Sequence, residues 1–239
     1  MTEQRKNKLG EMPVPKLIIS MSVPMMLSFF IQALYNMVDS IFVARLSEDA
    51  LTAVSMAFPV QQLMTALGVG TGVAINALVS RYNGQRRPDL AEKVANVTVF
   101  LCFCYIALFV LTGIFAVGPY YRMQTDVTAI TEAGIQYLSI VCIVSAGCFL
   151  GQIFEKMLVA TGSSVLSMAS QATGAIVNII FDPLLIFGLG PFPEMGVRGA
   201  AAATVFGQII AAVVAYVLFT RHEKSIHLSF AKMLLTSQF

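Results

Sequence analysis

Charge is what this sequence has least of. Aspartate, glutamate, lysine and arginine together make up 12% of its 239 residues, whereas hydrophobic residues make up 57%. A soluble domain carries about 25% charged residues, and mean hydropathy here reaches +0.77. A soluble core of this size would leave a surface far richer in charge than this chain can supply. The shortage therefore excludes a soluble globular domain and predicts that lipid surrounds most of the chain.

Residues used in catalysis and metal binding are also scarce, with two histidines and four cysteines. Both histidines, His222 and His227, follow the last apolar stretch, and no nucleophile–base set accompanies them, so we expect no enzyme activity. No basic tract is long enough to predict a nucleic-acid partner. The cysteines lie in apolar stretches without metal-ligand spacing, and we expect them to pack as small apolar side chains: Cys102, Cys104, Cys142 and Cys148.

Long apolar stretches are what the sequence has instead. A membrane-crossing helix needs about 20 mostly apolar residues. Six uncharged stretches meet that length: 17–38, 51–80, 94–121, 133–154, 157–181 and 199–220. The first is too long for the apolar core of a signal peptide and lacks its cleavage motif, so we interpret it as a span. The sequence thus predicts an all-α membrane protein with six transmembrane helices.

Two of these stretches are longer than one span requires, which predicts tilt, kinks or embedded loop ends in the second and third helices. Pro24 and Pro59 lie inside the first two stretches and are expected to bend them. Gly68, Gly70 and Gly72 superficially resemble a phosphate loop, but they lie within an uncharged helix and not after a strand. We interpret them as a site of close helix packing or a hinge.

The distribution of lysine and arginine predicts the orientation in the membrane. If the spans alternate in direction, 12 of the 15 basic residues fall on the side of the N-terminus. This bias predicts that both termini are cytoplasmic. It divides the chain into a cytoplasmic segment (1–16), a six-helix transmembrane unit (17–220) and a cytoplasmic linker or interfacial segment (221–239). The charged connection 81–93 could be an amphipathic interfacial stretch or a partner site, but its composition favours a solvated cytoplasmic loop.

Three acidic residues fall in or beside the apolar stretches, where a charge costs several kcal/mol unless it is paired, hydrated or ligated. They are Asp39, Glu155 and Asp182. Glu155 precedes Lys156 at the end of the fourth stretch, and we interpret this pair as an ion pair at the membrane interface. Asp39 lies near the outer end of the first span, where it either belongs to a site or reaches the lipid headgroups.

Asp182 has the most informative neighbours. Asn178 lies four residues earlier, so both side chains share one helix face. Pro183 removes the hydrogen bond to the carbonyl of Ile179, which leaves that oxygen free within the same turn. An amide oxygen, a carboxylate and a free carbonyl form part of a cage for a hard cation or a proton. The alternative is a kinked helix in which Asp182 bonds a polar neighbour.

Asp39 and Thr204 are related to Asp182 by their predicted depth in the membrane. In the predicted topology Asp39, Asp182 and Thr204 lie at a similar level in the outer half. Ala200 precedes Thr204 by four residues within a run of small residues at 199–203, so one face offers a backbone carbonyl and a hydroxyl. Simple helix packing also explains Ala200. The shared depth favours a role for Asp39 in a site with Asp182 and Thr204.

Three segments resemble one family of transporters. The segment 32–43 (QALYNMVDSIFV) resembles the opening helix of MATE (multidrug and toxic compound extrusion) transporters. The segment 178–188 (NIIFDPLLIFG) resembles the fifth helix of that family, and 196–204 (GVRGAAAAT) the start of its sixth. The matches are spaced as in the family and extend over most of the chain. The chain thus resembles the N-terminal six-helix half of a MATE transporter.

The resemblance implies a function and a site. The family exports cationic, lipophilic compounds against a Na⁺ or H⁺ gradient and works in the cell membrane, which is the inner membrane in a Gram-negative organism. No cofactor beyond the coupling ion is implied. If the ion is Na⁺, its side-chain ligands include Asp39, Asn178 and Asp182. The full implied set lies in one lobe: Asp39, Asn178, Asp182, Thr204 and the backbone of Ala200.

Two departures from the family pattern affect the partners. Ala44 stands where the family often has glycine, a small change. The family also has twelve spans in two lobes, so a second six-helix lobe is expected as partner beside the lipid bilayer and the small cationic substrates. That lobe is either a C-terminal half or a second copy, since parallel repeats pair about an axis along the membrane normal.

Two alternative functions remain at this stage. A lobe of a lipid-linked oligosaccharide flippase would share the six helices, but its cavity is expected to carry more cationic residues for a pyrophosphate. A non-transporting scaffold or channel subunit would need no matched acids, so neutral replacement of Asp39 and Asp182 would be harmless. The sequence indicates no substrate-binding residue.

Overall fold

A computed structural model describes residues 12–222. Within this range the chain forms helices and turns without any strand. The elements are α1 (Val14–Ala44), α2 (Glu48–Gly84), α3 (Pro88–Leu111), a π-helical turn (Thr112–Ala116), α4 (Val117–Gln124), α5 (Thr128–Ile143), α6 (Ala146–Ala160), α7 (Ser164–Ile186) and α8 (Val197–His222). Most of the predicted cytoplasmic segments 1–16 and 221–239, including His227, lie outside the described residues.

Six membrane spans account for these helices. Five are long and apolar enough on their own: α1, α2, the run Pro88–Gln124, α7 and α8. The sixth consists of α5 and α6 together, which meet at a bend of 47°. The prediction of an all-α protein with six spans is confirmed.

One predicted boundary is wrong. Residues 157–160 belong to the end of α6 and not to the fifth span, which begins at Ser164. The chain turns between these helices at Gly162, whose φ of 82° lies in the left-handed region that glycine adopts at low cost. Thr161, Gly162 and Ser163 form this turn without any charge, so the absence of charge hid it, although such small polar residues are typical of turns.

Two irregular backbone segments lie side by side inside the membrane. The third span contains the π-helical turn, which the sequence analysis did not predict. A Cβ added at Gly113 in this turn would lie 2.9 Å from the Cβ of Cys142, just before the bend between α5 and α6. The second span is by contrast one uninterrupted helix with Pro59 inside it. The bend at Val144 and Ser145 contains no proline, and the sequence analysis missed it.

The predicted loop 81–93 is also wrong. Arg81 lies in the last turn of α2, which ends at Gly84, and Pro88 begins α3, where a proline is accommodated because the first helical N–H needs no intrahelical partner. Only residues 85–87 connect the two helices. Arg87 and Asp89 pair across the start of α3 with their charged atoms 3.7 Å apart and mostly exposed, so the pair contributes little stability.

Helix packing leaves an opening beside the first helix. α7 packs against α8 and α1, and α6 packs against α8 and α2. α1 packs mainly against α7 and touches α2 and α8 far less. The outward face of α1 carries exposed apolar side chains such as Ile18, Ile19 and Met26, as expected of a helix surrounded by lipid. Its inward face borders the cavity described below.

The cysteines follow the predicted packing in part. Cys102 and Cys142 are fully buried in the core, in line with the prediction. Cys104 is exposed, because two residues further along the helix a side chain points to nearly the opposite face. Cys148 is half-buried and borders the cavity, where Gln152 Nε2 donates to its sulfur at 3.2 Å.

A candidate ion site and an adjoining cavity

Polar side chains form a stripe along each of two facing helices. On α7, Asn178 and Asp182 follow Gln171 by seven and eleven residues, which brings all three to one face because an α-helix has 3.6 residues per turn. α1 carries the same pattern in Ser28, Gln32, Tyr35 and Asp39. These two helices pack against each other. The stripes therefore bring acids and amides from two helices into one polar column.

The upper end of this column is the outer site, formed by Asp39, Asn178, Asp182 and Thr204. The carboxyl groups of Asp39 and Asp182 are in contact. Asn178 Nδ2 donates to Asp182 Oδ1 at 3.2 Å. Asp182 is 0% exposed, whereas Asp39 is half-buried and borders an opening. The contact with Asp182 favours the interpretation of Asp39 as part of a site over a contact with the lipid headgroups.

Three oxygens of the outer site lack hydrogen-bond donors. They are buried and accept from no residue in the described part of the chain: Asp39 Oδ1, Asn178 Oδ1 and Asp182 Oδ2. An unsatisfied buried acceptor costs about 1–3 kcal/mol, and more when it is charged. Two carboxylates in contact add mutual repulsion. A hard cation coordinated by these oxygens, or a proton held between the carboxyls, removes both costs. Oxygen ligands of this kind suit Na⁺ and H⁺ equally.

Thr204 joins the site through a residue that the sequence analysis missed. The hydroxyl of Tyr137 on α5 contacts that of Thr204 and lies near Asp39. Gln61 Nε2 on α2 donates to the Tyr137 oxygen at 3.1 Å. Nothing in the sequence distinguished Tyr137 from a core aromatic, because it lies in an uncharged stretch far from the acids. Tyr35, four residues before Asp39, also borders the site, and that spacing could have indicated it.

Close contact between two backbones sets the geometry of the outer site. A Cβ added at Gly207 on α8 would lie 2.7 Å from the carbonyl oxygen of Gly174 on α7 and 3.1 Å from the Cβ of Asn178. The two helices can approach this closely only because both positions are glycine. Their contact holds Asn178 beside the turn of α8 that carries Thr204.

Ala200 is buried one turn before Thr204 and is 0% exposed. It lies inside a continuous helix, so its carbonyl takes part in the helical hydrogen bonding. Its role as an ion ligand stays a prediction. Within residues 12–222 no group of three His, Cys, Asp or Glu side chains is arranged to hold a metal ion.

Below the outer site lies the inner cavity, an open cleft with a volume of about 200 Å³. Glu155, Lys156, Gln152 and Gln171 border it on the side predicted to be cytoplasmic. Five residues also border a second opening that reaches Asp39, so the two spaces are continuous: Gln32, Tyr35, Thr65, Thr204 and Gln208.

The interfacial ion pair predicted for Glu155 and Lys156 is wrong. Glu155 is 8% exposed, and its Oε2 accepts a hydrogen bond from Gln171 Nε2 at 2.6 Å. Among residues 12–222 the recorded ion pair is that of Arg87 with Asp89, and none joins Glu155 to Lys156. The reason is the boundary error described above: α6 continues to Ala160, so Glu155 lies more than one turn inside the helix and points into the bundle.

The fold and this polar column define a multi-pass helical membrane protein with buried acids and amides inside its helix bundle. The family model MatE matches residues 24–184. The chain therefore belongs to the MatE family, whose members are transporters rather than enzymes, and the predicted resemblance is confirmed.

Individual relatives agree with this membership. The chain is 26% identical over 216 residues to an FAD transporter of Shewanella oneidensis, covering 88% of this chain and 47% of that protein. It is 27% identical over 226 residues to the probable multidrug resistance protein NorM of Thermotoga maritima, covering 91% and 48%. A solved structure described as the outward-facing conformation of a multidrug resistance MATE family transporter of the MOP superfamily superposes with a TM-score of 0.83 at 27% identity, covering 91% and 48%. The chain thus spans about half the length of the relatives it matches.

Proposed function

We propose that this chain forms one lobe of a cation-coupled antiporter that exports cationic, lipophilic compounds across the cell membrane. The observation that carries the proposal is the outer site, where two carboxyl groups touch and three buried oxygens lack donors. Such an arrangement is costly in a membrane protein unless a cation or proton binds there. The coupling ion is Na⁺ or H⁺.

Coupling follows from how the outer site is built. Its side chains come from α1, α7 and α8, so an ion that neutralises Asp39 and Asp182 draws these helices together. Closure narrows the inner cavity, because the same helices border it. Ion binding then favours the closed state and bound substrate the open one. Two ligands with opposite preferences for two states are coupled by the difference in their affinities.

The charges around the cavity favour cationic substrates over a pyrophosphate. Of the residues within 12–222 that border either opening, Lys156 is the one with a permanent positive charge, and Glu155 and Asp39 are acidic. A phosphate ligand calls for several cations or paired arginines. This supports export of organic cations rather than oligosaccharide flipping. The same argument disfavours FAD, the compound in the name of the Shewanella relative, as the substrate of this chain, because FAD carries a pyrophosphate.

A second lobe completes the transporter in this proposal. The chain's relatives are about twice as long, and apolar side chains on α1 are exposed and not packed against another helix of this chain. The lobe is either a C-terminal half or a second copy of this chain.

The test is ethidium efflux by the complete transporter in proteoliposomes, with a Na⁺ gradient and a pH gradient imposed separately. We expect Asp39→Asn and Asp182→Asn to reduce gradient-driven efflux to the level of empty liposomes, because either change removes a charge that the coupling ion must neutralise. The gradient that drives wild-type efflux identifies the ion.

Asp126→Asn is the matched control. Asp126 is exposed in the turn after the third span, so the same chemical change there should leave efflux unaltered. Undiminished gradient-driven efflux by both Asp39→Asn and Asp182→Asn would refute the proposal and favour a scaffold or channel subunit.

A further inference from the structure

Glu155 is a buried acid that the ion-coupling mechanism does not use. It borders the inner cavity on α6, three helical turns from Asp182 along the stripe of α7, a separation of about 16 Å at 1.5 Å per residue. Its carboxyl accepts one hydrogen bond, from Gln171, and no other residue within 12–222 donates to it. A carboxylate with a single donor is far from satisfied, since it can accept about four hydrogen bonds.

The cavity wall around Glu155 is rich in acceptors. The Oε1 atoms of Gln152 and Gln208 are buried and accept from no described residue, and both side chains border the same cavity. The rings of Phe29 and Tyr35 border it as well. Oxygens without donors, one negative charge and two aromatic rings suit an organic cation that carries N–H groups, through charge-assisted hydrogen bonds and cation–π contact.

Two glycines of α2 make room for the side chains that flank Glu155. A Cβ at Gly68 would lie 2.5 Å from Gln152 Oε1, and one at Gly72 would lie 2.6 Å from Lys156 Cγ. Gln152 and Lys156 therefore occupy a groove on α2 that only glycine provides. This confirms the prediction of close packing at these positions, whereas Gly70 has nothing within 4 Å.

Lys156 is the charged group nearest to Glu155. Its ammonium is close enough to interact electrostatically with the carboxyl but forms no ion pair with it. The negative charge is thus reduced by a neighbour and not neutralised by direct contact. A purely structural role, linking α6 to α7 through Gln171, would be served equally by a neutral glutamine, without the cost of burying a charge.

We propose that Glu155 anchors the positively charged nitrogen of the transported compound, in a subsite of the inner cavity that is separate from the outer site. This inference rests on the proposed function and assigns the residue that selects for a cation. Gln152, Gln208 and the ring of Tyr35 complete the subsite. Glu155 acts in equilibrium binding of the substrate and requires no ion gradient for it.

The experiment measures equilibrium binding to the purified, complete transporter without any gradient. The probes are ethidium, a permanent cation with amino groups, and phenanthridine, its uncharged parent ring system. We expect Glu155→Gln to weaken ethidium binding at least tenfold, about 1.4 kcal/mol, while the Kd of phenanthridine changes less than twofold. Lys156→Gln keeps the stem in the groove of Gly72 and should strengthen ethidium binding about threefold, because it removes a repelling charge.

Glu132→Gln provides the matched control, since Glu132 is exposed at the other end of the same span and the same change there should alter neither Kd. Unchanged ethidium binding by Glu155→Gln overturns the proposal, and so does an equal loss for both probes, which would reveal a structural role. If Glu155→Gln fails to fold, the Kd of ethidium for Lys156→Gln is the deciding measurement. The proposal then fails unless Lys156→Gln binds ethidium more tightly than the wild type. Loss of binding in Asp39→Asn would instead count against the separation of the two sites.

The two hypotheses fail in different assays. Gradient-driven efflux without any effect of Glu155→Gln on binding removes the anchor and leaves the antiporter. Conversely, Glu155→Gln could abolish charge-selective binding while efflux responds to neither gradient. That result would support Glu155 as the substrate anchor and refute ion coupling.

Discussion

The two ends of the polar column solve the problem of a buried carboxylate differently. The outer site brings two carboxyl groups into contact and encloses Asp182 completely. The inner cavity holds one carboxyl group, gives it a donor in Gln171 and leaves it beside an open cleft. A second opening, of about 400 Å³, reaches Asp39 at the outer end. The pairing of two carboxyl groups, and not the size of the adjoining space, therefore distinguishes the outer site from the inner cavity.

Glycines shape both ends of the polar column, but in different ways. At Gly174 and Gly207 the absence of a side chain lets two backbones meet, which holds Asn178 beside the turn of α8 that carries Thr204. At Gly68 and Gly72 the same absence creates a groove that polar side chains of α6 fill, which gives the inner cavity its lining. The sequence alone does not tell these uses apart, since each is a small residue in an apolar stretch.

Breaking the contact between α7 and α8 should have the largest effect on the comparison. In Gly207→Leu the new side chain meets the backbone of Gly174, which cannot move aside, so we expect loss of folded protein in gel filtration. Gly207→Ala should lower the Tm by about 5 °C, as for overpacking of about 1–3 kcal/mol. Gly70→Leu is the control, because that position has nothing within 4 Å. Equal behaviour of the leucine variants would contradict the close approach.

If Asp39 and Asp182 act as a pair in the outer site, the losses of efflux caused by replacing each of them should not add. Because Asp39 and Asp182 share one ion, Asp39→Asn should already remove ion-dependent efflux, and the double variant Asp39→Asn/Asp182→Asn should be no worse than either single variant. Ethidium binding without a gradient should persist in all three. The measurements are efflux in proteoliposomes and equilibrium binding; additive losses of efflux would mean that the acids act separately.

Removing one hydroxyl should sharpen the distinction between the two ends. Tyr137→Phe leaves the Gln61 donor without its acceptor and removes a contact of Thr204, at a cost of about 1–3 kcal/mol. We expect the ion concentration for half-maximal efflux to rise about tenfold, while ethidium binding changes less than twofold. Tyr120→Phe serves as control, because Tyr120 donates to the backbone of Met56 away from the site. A larger effect on ethidium than on the ion would reverse the assignment of the two ends.

The smallest effect concerns access to the inner cavity. In single-cysteine variants, a water-soluble thiol reagent should label Cys148, which borders the cavity, and not Cys142, which is fully buried. Bound ethidium should slow the labelling of Cys148 about threefold. Labelling is measured by mass spectrometry of the intact protein. Equal labelling of both cysteines would show that the cavity is not the path by which water reaches the bundle.

Much of the fold followed from the sequence because one strong signal controls it. Six uncharged stretches predicted six spans, and the spacing of Asn178 and Asp182 predicted their shared face, where a hydrogen bond of 3.2 Å joins them. Contact between Asp39 and Asp182 followed from depth in the membrane. These predictions rest on helical periodicity and on the cost of burying charge, both of which are local or one-dimensional.

Features that depend on lateral packing escaped the sequence. The assignment of Glu155 to the membrane interface failed because no charged residue marks the turn at Gly162, so the end of α6 was not recognised. Tyr137 could not be linked to Thr204, since hydropathy does not reveal which faces of α5 and α8 meet. The bend between α5 and α6 has no proline to announce it.

The polar stripe of α7 has a mechanical consequence. Gln171, near one end, bonds Glu155, and Asp182, near the other, touches Asp39, yet both side chains extend from the same face of one uninterrupted helix. A helix that rotates about its long axis must swing both side chains through the same angle. A rotation of α7 that displaces an ion from Asp182 would therefore also withdraw the amide of Gln171 from the carboxyl group of Glu155, three turns away.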